Sequence, residues 1–216
     1  MKMDLSGMRN TYERGELRRS DLNPNPMDMF RRWFDETCKC GLIEPNAVSL
    51  ATSDNEGRPL LRTVLIKQFD KDGFVFFTNL ASRKAKHIES NPHVSLMFPW
   101  IQLERQVIVC GRAERIGLVE SAKYFALRPL ESQLGAWASK QSAVVESRKA
   151  LEIKWEEMKE KFAGGSVPIP SFWGGYRVIP SSIEFWQGRT GRLHDRFLYT
   201  LSGKDPQEWR IDRLAP

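Results

Sequence analysis

The stretch NAVSLATSDNEGRPLLRTVLIKQFDKDGFVFFTN, Asn46 to Asn79, decides the fold. Apolar residues alternate with polar ones in AVSLATSD and LLRTVLIKQF, and FVFFTN is an almost continuous apolar run. That is the period of a strand, not of a helix. The connectors DNEG and DKDG are turn chemistry: an Asp to cap the local backbone and a Gly for the tight bend. Three short strands joined by tight turns imply antiparallel neighbours. Downstream, HVSLMFPW and RQVIVCGRAERI continue the strand pattern after one short helix, SRKAKHIES, that stops before Pro92. Successive strands with a single helical crossover favour a closed or sandwich-like β domain over a doubly wound sheet. The expected class is mainly β with peripheral helices (α+β).

Upstream, NPNPMDMFRRWFDETCKCG reads as a helix, with Asn25 as cap, Pro26 in the first turn and Gly41 at the end. Phe30, Trp33, Phe34 and Thr37 share one face of it. Residues 1–22 hold little that can pack and read as a mobile or docking arm. Residues 23–216 read as one domain. Beyond the strands, VESAKYFALRP and SQLGAWASKQS are helical pieces, and VVESRKALEIKWEEMKEKFAGG is one long charged helix closed by two glycines. SVPIPSFWGGY reads as an irregular loop, and YRVIPSSIEFWQG, RFLYTLS and EWRIDRLAP return to strand pattern.

Composition narrows the function classes. The chain has 216 residues and a net charge of +6, which favours anionic partners, small phosphorylated molecules included. No apolar run approaches the ~20 residues of a membrane span. The amino-terminal stretch lacks the apolar region of a secretory signal, so the expected compartment is the cytoplasm. Cys38, Cys40 and Cys110 do not form a zinc pattern and read as reduced, mostly buried thiols. With only His87, His93 and His194, no metal site is expected. A P-loop, a Gly-x-Gly-x-x-Gly turn and a Gly-x-Ser-x-Gly elbow are all missing. The cations are interleaved with strand and helix-end positions and make no aromatic–basic platform, so nucleic acid is not an expected partner.

Four segments could carry chemistry. In RTVLIK, Arg62 and Lys67 fall on opposite faces by strand parity; alone, they read most simply as surface cations. In TNLASRKAKHIE, Ser82 is a plausible helix cap and Arg83 and Lys84 enter the first turn. Cations oppose the helix dipole there, a conflict relieved by a bound anion, with two solvated charges as the alternative. Tyr124 and Arg128 share a helix side and Ser132 follows the break; the set suits a phosphate, and an amphipathic helix end accounts for it equally well. EFWQGRTGRLHDR, Glu184 to Arg196, is a basic loop, a catalytic loop or a solvated turn. Several phosphate-sized basic clusters with little acid–base machinery suggest that a bound cofactor carries the chemistry. Arg18, Arg19 and Arg213 could form a second anion site, with a solvated basic patch as the plainer reading.

These segments, together with NP-x-x-SL-x-F-x-W, ERQV, GAW-x-SKQS, VP-x-P-SFWGGYRV and the closing W-x-IDRLAP, resemble the pyridoxamine 5′-phosphate oxidase family from about Arg9 to Pro216. The resemblance implies an FMN-binding split β-barrel, a homodimer with FMN between the subunits, and oxidation of pyridoxamine or pyridoxine 5′-phosphate with O2 as acceptor. Carried over by motif, Arg62, Thr63, Val64, Leu65, Ile66, Lys67, Phe77, Thr78, Arg83, Lys84, Gln106, Gln141, Ser142, Trp186 and Arg196 would bind FMN. Lys67, Tyr124, Arg128 and Ser132 would hold the substrate phosphate, and Arg192 and His194 would face its ring. Arg9 and Tyr12 would help cover the substrate, with Glu44 as a possible further contact. Arg192 and His194 would be the catalytic pair, Asp195 would orient its neighbours, and Arg189 reads as solvated. Two positions depart from the pattern: Phe77 where bacterial members often have Tyr, and Glu44 where some have Asp. The competing reading is a flavin- or pyridoxal-phosphate-binding protein that does not turn over; the intact Arg192 and His194 argue against it.

Overall fold

A computed structural model describes residues 3–8, 10–203 and 208–216. Eight strands and five helices account for most of it. They are β1 (Ala47–Ser53), β2 (Pro59–Asp70), β3 (Gly73–Asn79), β4 (His93–Trp100), β5 (Arg105–Arg115), β6 (Trp173–Gln187), β7 (Asp195–Leu201) and β8 (Trp209–Leu214). The helices are α1 (Pro26–Lys39), α2 (Arg83–Ser90), α3 (Leu118–Ala126), α4 (Leu130–Ala138) and α5 (Arg148–Lys161). The sheet runs β3-β2-β1-β4-β5-β6-β7-β8, and a further pairing of β3 with β6 closes six of these strands into a barrel. The mainly β expectation therefore holds.

The turns form as their composition requires. Asp54 Oδ1 accepts the N–H groups of Glu56 and Arg58 at 3.1 and 2.9 Å, and Gly57 sits at φ +77°. Asp70 Oδ1 accepts the Asp72 N–H at 2.9 Å ahead of Gly73 at φ +127°. Helix α1 starts on Asn25, whose side chain accepts the Met27 N–H at 2.8 Å. Its buried face carries Met29, Phe30, Trp33 and Thr37.

Contacts divide the chain into two compact units. The first comprises Met1–Ser49, Ser95–Cys110 and Pro180–Pro216. Its core is aromatic: Phe30 lies 4.8 Å from Phe98, and Phe185 meets Trp33 and Tyr199 edge-on at 5.3 and 5.4 Å. The amino-terminal arm is tied into it. Leu17 is buried and its N–H donates to Asp195 Oδ2 at 3.1 Å, while Arg14 N–H donates to Glu104 Oε2 at 2.9 Å. The second unit comprises Leu50–Val94 and Gly111–Ile179, and holds β2, β3 and α2 to α5.

Four local readings need correction. WGGY, read as loop, opens β6. There Gly175 pairs with Phe77, and a Cβ on it would lie 2.8 Å from the Phe77 ring and 2.9 Å from the Phe76 carbonyl. Two glycines thus mark a close backbone approach inside a strand, not a bend. The charged helix begins only at Arg148, after Ser147 caps the Ala150 N–H at 3.1 Å. The three cysteines are free but exposed: Cys38 and Cys40 end α1 away from its apolar face, and Cys110 takes an outward position in β5. Finally, the β2–β3 register slips between Ile66 and Gln68, leaving Lys67 as an extra residue. Such a bulge resets the alternation beyond it, so the unbroken period read through LLRTVLIKQF fails at Gln68, which is exposed like Lys67 before it.

Candidate active site

The second unit contains a cavity of about 660 Å³ beside β2, β3 and helices α3 and α4. Arg62, Lys67, Lys84 and Arg128 line it, and among the described residues no carboxylate does. Four cations without a counter-charge repel one another and lose hydration, so the cavity suits a multiply charged anion.

Arg62 makes the point most directly. Its Nη1 donates to the Leu50 carbonyl at 2.9 Å, but its Nη2 is buried with no partner among the described residues. Burial, and then the nearby Arg83 charge, lower its pKa. Lys84 is only 8% exposed. Its ammonium donates to Gln141 Oε1 at 3.0 Å, Thr78 Oγ1 at 3.1 Å and Ser82 Oγ at 3.4 Å. Burial and then the Arg62 charge pull its pKa down to about 8. Ser82 caps α2 as expected, accepting the Ala85 N–H. Ser142, at φ +72°, accepts the Arg83 N–H at 3.3 Å.

The far wall is aromatic. Phe77 stacks on Tyr124 at 4.1 Å and on Trp173 at 5.3 Å, all near parallel. Arg128 lies with its guanidinium carbon 5.0 Å from the Trp173 ring centre, and its Nη1 is buried without a partner among the described residues. Burial lowers the Arg128 pKa and raises that of Tyr124, each opposed by the other group. A buried guanidinium N–H with nothing to donate to is rare in a finished protein. Two such groups, on Arg62 and Arg128, mark two places for anionic oxygens.

The first unit contains a separate cavity of about 480 Å³, lined by Tyr12, Gln106, Trp186, Arg189, Arg192 and His194 among others. Trp186 and His194 lie 4.6 Å apart, with Tyr12 edge-on to Trp186 at 5.8 Å. Gly188 permits this packing, since a Cβ there would stand 2.8 Å from Tyr12 Cγ. The Arg189 N–H donates to His194 Nδ1 at 3.1 Å. In the neutral imidazole, the proton therefore sits on Nε2, which is left as a donor. Gly191 and Arg192 both adopt left-handed backbone, at φ 63° and 61°. For Arg192 that costs about 1–2 kcal/mol, a strain of the kind that collects at functional sites.

Most of the expected residues fall into one cavity or the other. Arg62, Thr63, Val64, Leu65, Lys67, Phe77, Thr78, Lys84, Tyr124, Arg128, Ser132, Gln141 and Ser142 line the first. Tyr12, Gln106, Trp186, Arg192 and His194 line the second. Others stand apart. Ile66 is buried, Arg83 is exposed and lines a neighbouring hollow with Lys86 and Lys140, and Glu44 is exposed and lines neither cavity. Arg196 grips Glu184 with Nε and Nη2 at 2.7 and 3.2 Å, and its Nη1 donates to the Ala215 carbonyl at 2.9 Å. Arg9 lies outside the described residues. Arg189 is not solvated: it donates to the Gly15 carbonyl and to Glu16, binding the arm. Arg18 pairs with Glu16 and Arg213 with Asp195, so two of the three cations considered for a second anion site already have carboxylates. Sequence reading missed Trp173, Asn79 and Ser139 in the first cavity. The signal for Trp173 was present, as an aromatic followed by the two glycines that press β6 on β3.

Among the described residues, no group of three or more His, Cys, Asp or Glu is arranged to hold a metal ion, and no helix is long and apolar enough to cross a membrane.

Comparison with known proteins gives a consistent answer. Residues 34–162 match the family profile described as pyridoxamine 5′-phosphate oxidase. Residues 173–216 match the pyridoxine 5′-phosphate oxidase C-terminal dimerisation region. A pyridoxine/pyridoxamine 5′-phosphate oxidase of Rippkaea orientalis is 55% identical over 99% of this chain and 100% of its own. The enzyme of that name from Pectobacterium atrosepticum is 53% identical over 99% of this chain and 92% of its own. Among solved structures, PhzG from Burkholderia lata, in complex with tetrahydrophenazine-1-carboxylic acid, superposes with a TM-score of 0.86 at 28% identity, covering 91% of this chain and 95% of its own. An FMN-binding protein of Nostoc punctiforme shares the fold, with a TM-score of 0.70 at 18% identity over 90% of this chain and 100% of its own. The barrel, the two cavities and these matches along the chain agree, and the protein belongs to the pyridoxamine 5′-phosphate oxidase family.

Proposed function

We propose that the chain oxidises pyridoxamine 5′-phosphate and pyridoxine 5′-phosphate to pyridoxal 5′-phosphate, with FMN as cofactor and O2 reduced to H2O2. Water then releases ammonia when the substrate is the amine. The observation that carries this reading is the carboxylate-free cavity with two buried, unpartnered guanidinium N–H groups. Both cofactor and substrate bear a phosphate, and the cavity offers a place for each.

The residues fit such a pair. Arg62 and Lys84 would hold the FMN phosphate, with Thr78, Gln141 and Ser142 as polar support, and β2 from Arg62 to Lys67 would line the flavin. When bound, FMN supplies the two-electron acceptor for the reaction. Arg128, Tyr124, Ser132 and Lys67 hold the substrate phosphate. That group is remote from the reacting carbon, and its binding energy orients the ring. Arg192 presents a cation to the pyridine ring and stabilises negative charge that develops there. His194, with Nδ1 occupied by the Arg189 N–H, directs its Nε2 proton as a donor. Gln106, Trp186 and Arg196 complete the cofactor site, some of these residues coming from the partner copy of a homodimer. The match to a dimerisation region over residues 173–216 supports that assembly.

Turnover of the flavin-loaded protein tests the proposal. The unaltered chain should form pyridoxal 5′-phosphate and H2O2 in equal amounts. Arg192→Ala should keep its flavin and lower kcat about 100-fold, the scale on which loss of one preorganised electrostatic contact acts. No product from the unaltered chain would end the functional reading, and an unchanged kcat in the variant would end the role of Arg192.

A further inference from the structure

Trp173 lines the phosphate cavity, is 6% exposed, and has no part in the proposed chemistry. It stands at the start of β6, paired across the sheet with Asn79 of β3. Its indole is the end of a three-ring stack. Phe77 lies on it at 5.3 Å and 6°, and Tyr124 on Phe77 at 4.1 Å and 15°. Phe125 closes the edge at 5.0 Å and 70°. The Arg128 guanidinium carbon stands 5.0 Å from the Trp173 ring centre. Gly175 keeps the stack flat, because any side chain there would strike the Phe77 ring.

Tyr124 belongs to α3 and Arg128 to the break between α3 and α4, so neither is held by a strand. Arg128 is half-buried, carries a buried and unpartnered Nη1, and has its charge disfavoured by burial. A π face is the one neighbour that stabilises a desolvated guanidinium without consuming its N–H donors. A carboxylate in that place would hold the charge better but would compete with the incoming anion. We propose that Trp173 is a positioning residue for phosphate recognition. Through Phe77 it sets the plane of Tyr124, and through its own face it holds the Arg128 guanidinium aimed with its donors free.

This rests on the functional reading only for the identity of the substrate; the phosphate preference itself can be measured without turnover. Trp173→Leu and Trp173→Phe should be prepared in the flavin-loaded protein. Two quantities decide: the ratio of kcat/KM for pyridoxine 5′-phosphate to that for pyridoxine, and the Kd for inorganic phosphate. A desolvated cation–π contact is worth roughly a factor of ten or more in affinity. Trp173→Leu should therefore lower the ratio and raise the phosphate Kd about tenfold, with flavin content unchanged. Trp173→Phe keeps a smaller ring face and should shift both by about threefold. It carries the test if the leucine variant does not fold. A purely structural role would lower activity on both substrates alike and leave the ratio and the phosphate Kd where they were. That result, in either folded variant, overturns the proposal. If the unaltered chain turns over neither substrate, the functional reading fails while the phosphate Kd still decides the role of Trp173.

Discussion

Arg62→Ala should purify without flavin under conditions in which the unaltered chain retains it. Arg62 is anchored by the Leu50 carbonyl through one nitrogen and presents the other, buried and unpaired, to the cavity. A hydrogen bond to a charged group contributes about 1.5–3 kcal/mol. Losing it together with the charge itself should weaken FMN binding by about two orders of magnitude or more. Flavin absorbance after gel filtration reads the result, and full flavin content in the variant would remove Arg62 from the phosphate site.

Lys84 adds a pH signature to the same binding. Its pKa is depressed to about 8 by burial and the Arg62 charge. Below about 8 it is a cation and supports an anionic phosphate; above that it becomes neutral and the support fades. FMN affinity should therefore be full below about pH 8 and fall as pH rises beyond it, with a bound phosphate moving the fall upward. Stability of the flavin-free chain should go the other way. The unfolded lysine holds its proton up to its ordinary pKa, so between about pH 8 and that value the unfolded chain binds more protons, and this group's contribution to stability rises. Titration of the flavin-free chain with FMN across this range checks the first trend, and Lys84→Met should flatten it.

Arg128→Ala should raise KM for pyridoxine 5′-phosphate about 100-fold while kcat changes by only a few-fold and flavin stays bound. In the proposed site Arg128 is the cation assigned to the substrate phosphate, and its buried Nη1 lacks a partner among the described residues. Lys67 is exposed on its bulge, so Lys67→Ala should cost less, by solvent screening. Arg128→Lys should not restore the loss, because an ammonium cannot reproduce the planar donor pair or the ring contact. Steady-state kinetics with varied substrate read these outcomes. A KM unchanged in Arg128→Ala would reject the phosphate role.

Much of the fold is legible in the amino-acid sequence. Period two from Asn46 to Asn79 and the Asp/Gly turns specify the antiparallel strands, since both signals are local. Asn25 and Ser82 cap the helices they were expected to cap for the same reason. What escapes depends on contacts between segments far apart in the chain. The two glycines before Tyr176 look like a loop because the Phe77 ring that needs their bare backbone lies almost a hundred residues earlier. The Lys67 bulge follows from pairing with β3, not from the composition of β2. Arg189 looks solvated because its partners, Gly15 and Glu16, come from the amino-terminal arm. In the site, the cations are visible individually; their gathering around one carboxylate-free cavity is not, and motif resemblance supplies that step.

The most direct measurement is the absorption spectrum of the purified protein, taken without oxygen, before and after addition of pyridoxamine 5′-phosphate. The expected result is a yellow protein whose visible flavin band bleaches on addition and returns when air is admitted, with H2O2 formed. A colourless protein that takes up no FMN, or a yellow one whose band stays unchanged by the substrate, would contradict it.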